Sequence, residues 1–482
     1  MNNHFFDKQN LTTEAFVAYK EEQINKPKAK KLLCPQESCD DFFKTLHNRI
    51  IEIKHTENPN AENIFEEIPE CNFVLKRINI LGEYYSETRT IKYYPQTPQT
   101  IEVVKIHERF HTIHHLMHDD KNQIWGNFAD VEPFYKELLA QLFTFIYIRD
   151  IEESFLDDFK DLNKHQPVIY QTFKMFEHYH QPEAEELYWI IRKGDKTDPL
   201  LRALDKLSSK IRTKTIELVV FDGIRKTINR FREQPFLYFT ESDIHASLSK
   251  DIMEGNSDIL ILGNTMAERT KIKTPVSLVH HEYPTNFRFE RKLLLNGYND
   301  EDLKQTNLNE SHGDRGNYDL SVLNPSFVEN LFEPYNGKGL NVILEHIINK
   351  DKDNAISRNQ IEELLFAIEV KFVHLFNARN IQLLHEVKSD NEKLRLAIHH
   401  KHCCKGINLI FCSSQKKQRK DGVDPVIEQI RKYVEGYNQS EPIINIFIES
   451  FIDDNETKET PKPTFSKNQS GWSDLTNVIL KQ

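Results

Sequence analysis

The chain has 482 residues, 38% of them hydrophobic, with 31 Phe and only 15 Gly. That is enough for roughly two to four domains with real cores, and it points to a helix-rich protein. A formal net charge of −11 excludes an overall basic field that recruits nucleic acid, and leaves a local basic surface as the route to it. The six Cys form no dense framework, which fits a reducing compartment. The start, Met1-Asn2-Asn3-His4-Phe5-Phe6-Asp7, has neither the basic nor the apolar region of a secretory signal. No segment reads as an uncharged membrane span, so the expectation is a cytoplasmic protein with no membrane partner.

Residues 1–75 read as charged and mostly helical. From Cys71 to Tyr94 the pattern changes to short strands: Phe73-Val74-Leu75, Ile78-Asn79-Ile80-Leu81 and, after Gly82, Thr88 to Tyr94. A helix follows over Ile101 to Met117, and another from Pro133 to Ile151. Residues 152–232 read as helical, with breaks at Gln166-Pro167 and Asp198-Pro199. They suit either a connector or the second half of the preceding domain. At Pro235 the pattern shifts again. Thr240 caps a helix that begins at Glu241. Strand-like runs then recur at Val276–Val279, Tyr318–Leu323, Leu365–Val373 and Ile407–Phe411, with a helix over Pro425–Tyr437. Strands interleaved with helices predict an α/β or α+β domain. The stretch Asp453 to Asp474 is polar and reads as a disordered tail.

The helix after residue 100 carries His107-Glu108-Arg109-Phe110-His111, an HExxH motif. Histidines at i and i+4 share one helix face, so both imidazoles reach one zinc ion, and Glu108 between them can take a proton from a zinc-bound water. Ile101, Val103, Val104, Ile106 and Phe110 make this a largely buried helix, where His-Glu-His without a role costs several kcal/mol in unpaired polar groups, on the order of 2–7 each. A third ligand is needed. The metzincin spacing fails, since residues 114 and 117 are His114 and Met117 rather than Gly and His, and His118 is one residue out of register. Glu137 on the next helix is the better candidate, with small Ala140 one turn on to allow close helix approach. HExxH followed by a Glu-x-x-Ala helix resembles the gluzincin metallopeptidases over residues 70–150. The resemblance implies His107, His111 and Glu137 as zinc ligands, Glu108 as general base, and a cleft-edge strand supplied by Thr88 to Tyr94. His114, His115 and His118 are expected to be partly exposed surface histidines.

A second constellation lies downstream. Asp319 sits in the alternating run Tyr-Asp-Leu-Ser-Val-Leu. Glu369 and Lys371 are two apart in another strand, so they project to one side while Ile368, Val370 and Phe372 enter the core. Metal-dependent phosphodiester hydrolysis needs such hard oxygen ligands beside a cation. With Glu241 on an early helix and Asp390 to Leu394 opening the helix after the Glu-x-Lys strand, residues 235–438 resemble the PD-(D/E)XK, or restriction-endonuclease-like, nucleases. That resemblance implies Glu241, Asp319 and Glu369 as ligands of Mg2+ or Mn2+, and Asp319, Glu369 and Lys371 as catalytic residues. Glu282 is a further acidic neighbour. Two departures stand out: Tyr318 precedes Asp319 where Pro is usual, and the 50 positions to Glu369 require an insertion, for which 341–349 is a candidate helix. The basic run Gln415–Lys420 reads as a phosphate-backbone contact or a solvated loop. The run His399–Cys404 lacks metal-site spacing.

The expected fold class is therefore a multidomain α+β and α/β chain, with a helix-rich zincin-like N-terminal domain and a restriction-endonuclease-like C-terminal domain. The expected boundaries are 1–151 for the peptidase, 152–234 for a helical connector or peptidase subdomain, 235–440 for the nuclease and 441–482 for a partly disordered C-terminal segment. The expected function is a zinc metallopeptidase coupled to a divalent-metal-dependent DNA endonuclease. By analogy with modular prokaryotic immune proteins, its setting is anti-phage defence. Expected partners are DNA, with RNA left open, and a protein or peptide substrate that includes its own chain among the candidates. Oligomerisation is left open. The rival reading makes the HExxH domain a zinc-holding sensor without proteolytic turnover.

Overall fold

The structure, a computed structural model, describes residues 81–93 apart from 88, then 98–164, 168–254, 256–263, 275–289, 314–332, 361–373, 382–414, 425–437, 442–451 and 462–466. The expected helices over 1–75, the strand residues before Leu81, the insertion at 341–349, the basic run at 415–420 and nearly all of the 453–474 tail lie outside them. The chain divides into two compact units, Met1–Thr215 with Met266–Thr270, and Ile216–Thr265 with Lys271–Gln482. Helices accompany a mixed sheet, an α+β organisation. No helix among the described residues is long and apolar enough to cross a membrane.

In the first unit, strands β1 (Gly82–Tyr85) and β2 (Thr90–Tyr93) pair antiparallel, with Gly82 opposite Tyr93. Helix α1 (Pro98–Leu116) follows. Its Val103, Ile106, Phe110 and Ile113, with Met117 just past its end, recur every three or four residues, and all are buried, Phe110 and Ile113 completely. Helix α2 (Pro133–Asp150) starts with Pro at its first turn, where a missing N–H costs nothing. Thirteen of its 18 residues are buried, so it is the central helix and is apolar nearly all round. Helices α3 (Leu156–Lys164) and α4 (Gln181–Lys193) follow, the latter ending at Gly194 in the left-handed conformation that favours glycine (φ 63°). Helix α4 fixes the end of α1: Tyr188 Oη donates to the His114 carbonyl at 2.8 Å, and Arg192 donates to the carbonyls of Met117 (2.5 Å) and Gln123 (2.6 Å).

Phe159, Phe173, Phe176, Leu187, Leu200, Leu204 and Ile211 belong to the same core cluster as Phe110 and Phe143. Residues 152–211 thus contribute to the first unit's core, which favours the subdomain alternative for 152–234 over a separate connector. The lower boundary falls inside the 35-residue helix α5 (Pro199–Glu233), whose residues from Ile216 onward belong to the second unit.

The second unit continues with helix α6 (Glu241–Met253) and the two-residue strands β3 (Ile261–Leu262) and β4 (Val276–Ser277). Its sheet runs β10-β9-β8-β7-β6-β5. Strands β5 (Val279–Phe289), β6 (Asp314–Leu323) and β7 (Leu364–Val373) are antiparallel neighbours. Strands β7, β8 (Cys403–Ser414) and β9 (Ile443–Phe451) are parallel neighbours, and β10 (Thr464–Phe465) closes the edge antiparallel. Helix α7 (Pro325–Phe332) follows β6. Helices α8 (Gln382–His399) and α9 (Pro425–Gly436) make the crossovers that parallel neighbours require. Strand β7 is buried along nearly its whole length, as a central strand covered on both faces must be. Phe221 and Phe231 of α5 pack on Phe366, Phe372 and Phe411, while α8 and α9 cover Val373, Ile410, Cys412 and Phe447. Because β9 and β10 complete the sheet, the expected boundary at 440 is corrected to beyond Ser466, whose N–H donates to Asn445 O at 3.0 Å.

The α5–α6 crossing sets the position of α6. Asp251, fully buried on α6, accepts from Thr227 Oγ1 at 2.8 Å and pairs with Arg230 at 2.7 Å. Gly223 allows the approach: a Cβ there would lie 2.4 Å from Ile252 Cγ1 and 2.7 Å from its Cα. An Ala gains at most about 1 kcal/mol of helix propensity, whereas forcing two helix backbones apart costs about 1–3 kcal/mol. Gly223→Ala should therefore lower stability to urea by about 1–2 kcal/mol. Gly126→Ala, with nothing within 4 Å, should change it by less than about 0.5 kcal/mol. Equal stability of Gly223→Ala and wild type would contradict this packing.

Candidate metal centres

The first centre joins α1 and α2. Helical spacing stacks His107 and His111, and α2 presents Glu137 to both. Glu137 Oε2 is 3.1 Å from His107 Nε2 and 3.5 Å from His111 Nε2, and the two Nε2 atoms are 3.1 Å apart. Both histidines are buried and Glu137 half-buried. A tetrahedral ion with bonds of about 2.0–2.2 Å separates its ligand atoms by about 3.3–3.6 Å. The three donor atoms therefore need to move only a few tenths of an ångström to hold zinc, and two imidazoles with one carboxylate are a zinc donor set. His107 Nδ1 is buried with no hydrogen-bond partner among the described residues. Zinc-bound imidazoles ordinarily donate from this second nitrogen.

Glu108 is buried beside this cluster. Gly82 lets β1 close on it: a Cβ at Gly82 would lie 2.6 Å from Val104 Cγ1 and 2.9 Å from Glu108 Cγ. Burial pushes the Glu108 carboxyl above the usual carboxylate range, reinforced by Glu137 and Glu83 and only partly offset by His107 and His111. Burial also opposes ionisation of Glu137, but the charges and hydrogen bonds of His111 and His107 outweigh it and hold that carboxyl below its usual range. Tyr170, whose ring lies 6.1 Å from that of His107, is kept neutral first by the charge of Glu137, then by burial and Glu108. Nothing in its local sequence, Val-Ile-Tyr-Gln, marks it as part of the site.

The expectation of surface positions for His114, His115 and His118 is corrected: all three are buried. The His114 ring packs edge-on to Phe143 at 4.7 Å and stacks on Tyr188 at 5.2 Å. Burial keeps it neutral, and the neighbouring His111 and His107 act in the same direction. His115 stacks on Phe128 and shares a 2.7 Å hydrogen bond with the Tyr84 hydroxyl. None of the three joins the His107–His111–Glu137 group.

The second centre lies where α6, β6, β7 and α8 meet. Thr240 caps α6, its Oγ1 accepting from Asp243 N at 3.3 Å, and this places Glu241 in the first turn. Glu241 Oε2 accepts from Phe372 N at 3.1 Å, and Asp319 Oδ2 accepts from Val370 N at 2.7 Å. These main-chain donors aim both carboxylates along β7. His245, one turn beyond Glu241, completes a group whose donor atoms all lie within 4.8 Å of one another. Lys371 Nζ stands between Glu241 (3.4 Å) and Glu386 (3.5 Å), and its ammonium stays charged: burial opposes the charge, but Asp390, Glu241 and Glu386 outweigh it.

Glu369 lies outside the Glu241–His245–Asp319 group. Its Oε2 instead meets Lys393 Nζ at 2.6 Å, with Glu369 1% and Lys393 3% exposed. Burial pushes the Glu369 carboxyl well up, and Lys393 offsets only part of this. Asp390 is likewise pushed up to about 6 by burial, against the pull of Lys393 and Lys371. Asp319 is raised by burial in spite of its N–H donor and His245. Glu282 is exposed on β5 at a positive φ of 51°, accepts only a long contact from Asn317 Nδ2 (3.4 Å), and is not part of the group. His402 is buried between Tyr318 Oη (3.1 Å) and Glu363 (3.4 Å), and the His399–Cys404 run forms no metal group among the described residues. Sequence reading missed His245, Glu386 and the Glu369–Lys393 pair. The Asp390-x-x-Lys393 spacing carries the local signal for the last, but it lies in the middle of α8, which begins at Gln382, and this corrects the expectation that Asp390 to Leu394 opens that helix.

Comparison with known proteins adds no family: no family model, no curated protein and no solved structure matches the chain.

The buried pair makes a stability prediction. Lys393→Met strands the Glu369 carboxylate and should cost about 3–5 kcal/mol. Lys393→Met with Glu369→Gln should recover at least about half of that, because no buried charge is left uncompensated. Chemical denaturation of the two variants decides it, and a double variant no more stable than the single one would contradict the pairing.

Proposed function

We propose that the chain is a hydrolase with two separate metal-dependent centres, a zinc metallopeptidase in the first unit coupled to a phosphodiesterase acting on DNA in the second. The observation that carries the first half is the convergence of His107, His111 and Glu137 on one point with Glu108 buried beside it. An HExxH helix facing a Glu-bearing helix, with a short hairpin on its flank, is the arrangement expected of a zincin-like domain. Zinc, when bound there, supplies an electrophile that lowers the pKa of a water. Glu108, buried beside the three donors, would act as the general base, taking a proton from the attacking water and returning it to the leaving amine.

The second half is supported by the order α6, β5, β6, β7, α8, β8, with Glu241 on the first helix, Asp319 on β6, and Glu369 and Lys371 on β7. This order fits a restriction-endonuclease-like core. A divalent cation such as Mg2+ or Mn2+ there supplies charge neutralisation for a phosphodiester. Asp319 and Glu241 hold it, and Lys371, anchored by Glu241 and Glu386, keeps a positive charge for the scissile phosphate or the attacking water. Glu369 sets the position of Lys393 and, through it, the β7–α8 wall of the site. A peptidase joined to a nuclease suits a defence protein whose nuclease is released by proteolysis of a protein substrate, its own chain included.

Elemental analysis of the purified chain should find about one zinc, lost in His107→Ala/His111→Ala, as expected of a three-ligand site. Glu108→Gln should keep the metal and lose at least about 100-fold in peptide cleavage. Zinc retained in the double-histidine variant would overturn the first centre. For the second, DNA cleavage in Mg2+ or Mn2+ should fall at least about 100-fold in each of Asp319→Ala, Glu369→Ala and Lys371→Ala. Cleavage that survives all three substitutions would overturn that centre.

A further inference from the structure

We propose that His245 is a metal ligand of the second centre and that it biases this centre toward manganese over magnesium. The proposal rests on the reading of that centre as a divalent-cation site. Glu241 and His245 are four residues apart on α6, so they lie one above the other on a single helix face. Asp319 on β6 meets them there. His245 Nε2 is 3.6 Å from Asp319 Oδ2, too far for a hydrogen bond, and has no hydrogen-bond partner among the described residues although the atom is buried. An imidazole nitrogen and two carboxylates gathered within 4.8 Å, yet not bonded to one another, leave space for a shared cation.

Two further observations point the same way. The site gathers five carboxylates, Glu241, Asp319, Glu369, Glu386 and Asp390, against two ammonium groups, Lys371 and Lys393. That excess of negative charge in a half-buried place calls for added positive charge. Glu369 Oε1 is also buried with no hydrogen-bond partner among the described residues, in a side chain only 1% exposed. The main-chain N–H groups of Val370 and Phe372 orient Asp319 and Glu241 without cancelling their charge.

The imidazole decides the kind of cation. Magnesium binds hard oxygen ligands and keeps much of its water shell, so a nitrogen donor adds little for it. Imidazole suits transition ions, and of the two ions that the carboxylates suit, Mg2+ and Mn2+, only the transition ion gains from a nitrogen donor. The expected consequence is a Mn2+ affinity about tenfold or more above that for Mg2+, most of it owed to His245.

The test uses the full chain carrying His107→Ala and His111→Ala, so that the first centre cannot take up manganese. Mn2+ titration followed by electron paramagnetic resonance gives the affinity, and pulsed measurements detect a directly bound imidazole 14N. The expected result is a bound ion with one such nitrogen. Adding His245→Ala should abolish the nitrogen signal and weaken Mn2+ about tenfold, while Mg2+ affinity, read by competition, changes less than about twofold. The nitrogen signal is read in the chain that keeps His245, so it does not depend on the variant folding. Bound Mn2+ without a nitrogen signal, or affinities unchanged by His245→Ala, would overturn the assignment of His245 and leave the metal centre standing. Failure to bind Mn2+ at all would overturn both.

Discussion

Carboxylates held away from water set the terms for both units of this chain. An ionised carboxyl in a protein interior costs several kcal/mol unless a positive charge or a set of donors meets it, on the order of 3–5 when one partner of a buried pair is missing. In the first unit, Glu137 is met by two imidazoles from one turn of α1. In the second, Glu369 is met by Lys393, and Asp319 and Glu241 by main-chain N–H groups of β7. These compensations are incomplete: burial still raises the Glu108, Glu369, Asp319 and Asp390 carboxyls.

Much of the packing can be read as what is needed to hold those groups still. Helix α2 is buried on almost every side, so Glu137 is carried on a helix with little freedom to shift. Gly82 brings β1 against Val104 and Glu108, where any side chain would push it away. Gly223 does the same for the α5–α6 crossing, and so determines where Glu241 and His245 stand relative to β7. Strand β7 is central and buried on both faces, so Glu369 and Lys371 inherit the rigidity of the sheet. A site carried on helices and central strands is held more tightly than one carried on loops.

The parts of this arrangement with a local period were legible in the sequence. His107 and His111 at i and i+4, the apolar spacing around them, Glu369 and Lys371 at i and i+2, and Thr240 before Glu241 each announce both an element and a face. Glu137 was reachable because the next strongly apolar helix offers it one turn before Ala140. What failed depends on distant contacts. A lone His in an ordinary helix gives no hint that Asp319, more than seventy positions later, will stand beside it, so His245 was missed. His114, His115 and His118 read as partly exposed because surface positions are the common place for histidines outside a metal site. In three dimensions Phe143 and Tyr188 of α4 cover His114, and Phe128 covers His115. The boundaries at 151, 234 and 440 were drawn at breaks in pattern, whereas the cores of the two units run through those breaks.

Two separate cation sites with different donor sets form the central claim, and diffraction from a crystal grown with both ions would test it most directly. Anomalous maps recorded at the zinc and manganese edges should show a zinc peak within bonding distance of His107 Nε2, His111 Nε2 and Glu137. A manganese peak should lie among Glu241, His245 and Asp319. Peaks absent from both places, or one ion bound elsewhere while these side chains keep their direct contacts, would contradict the account.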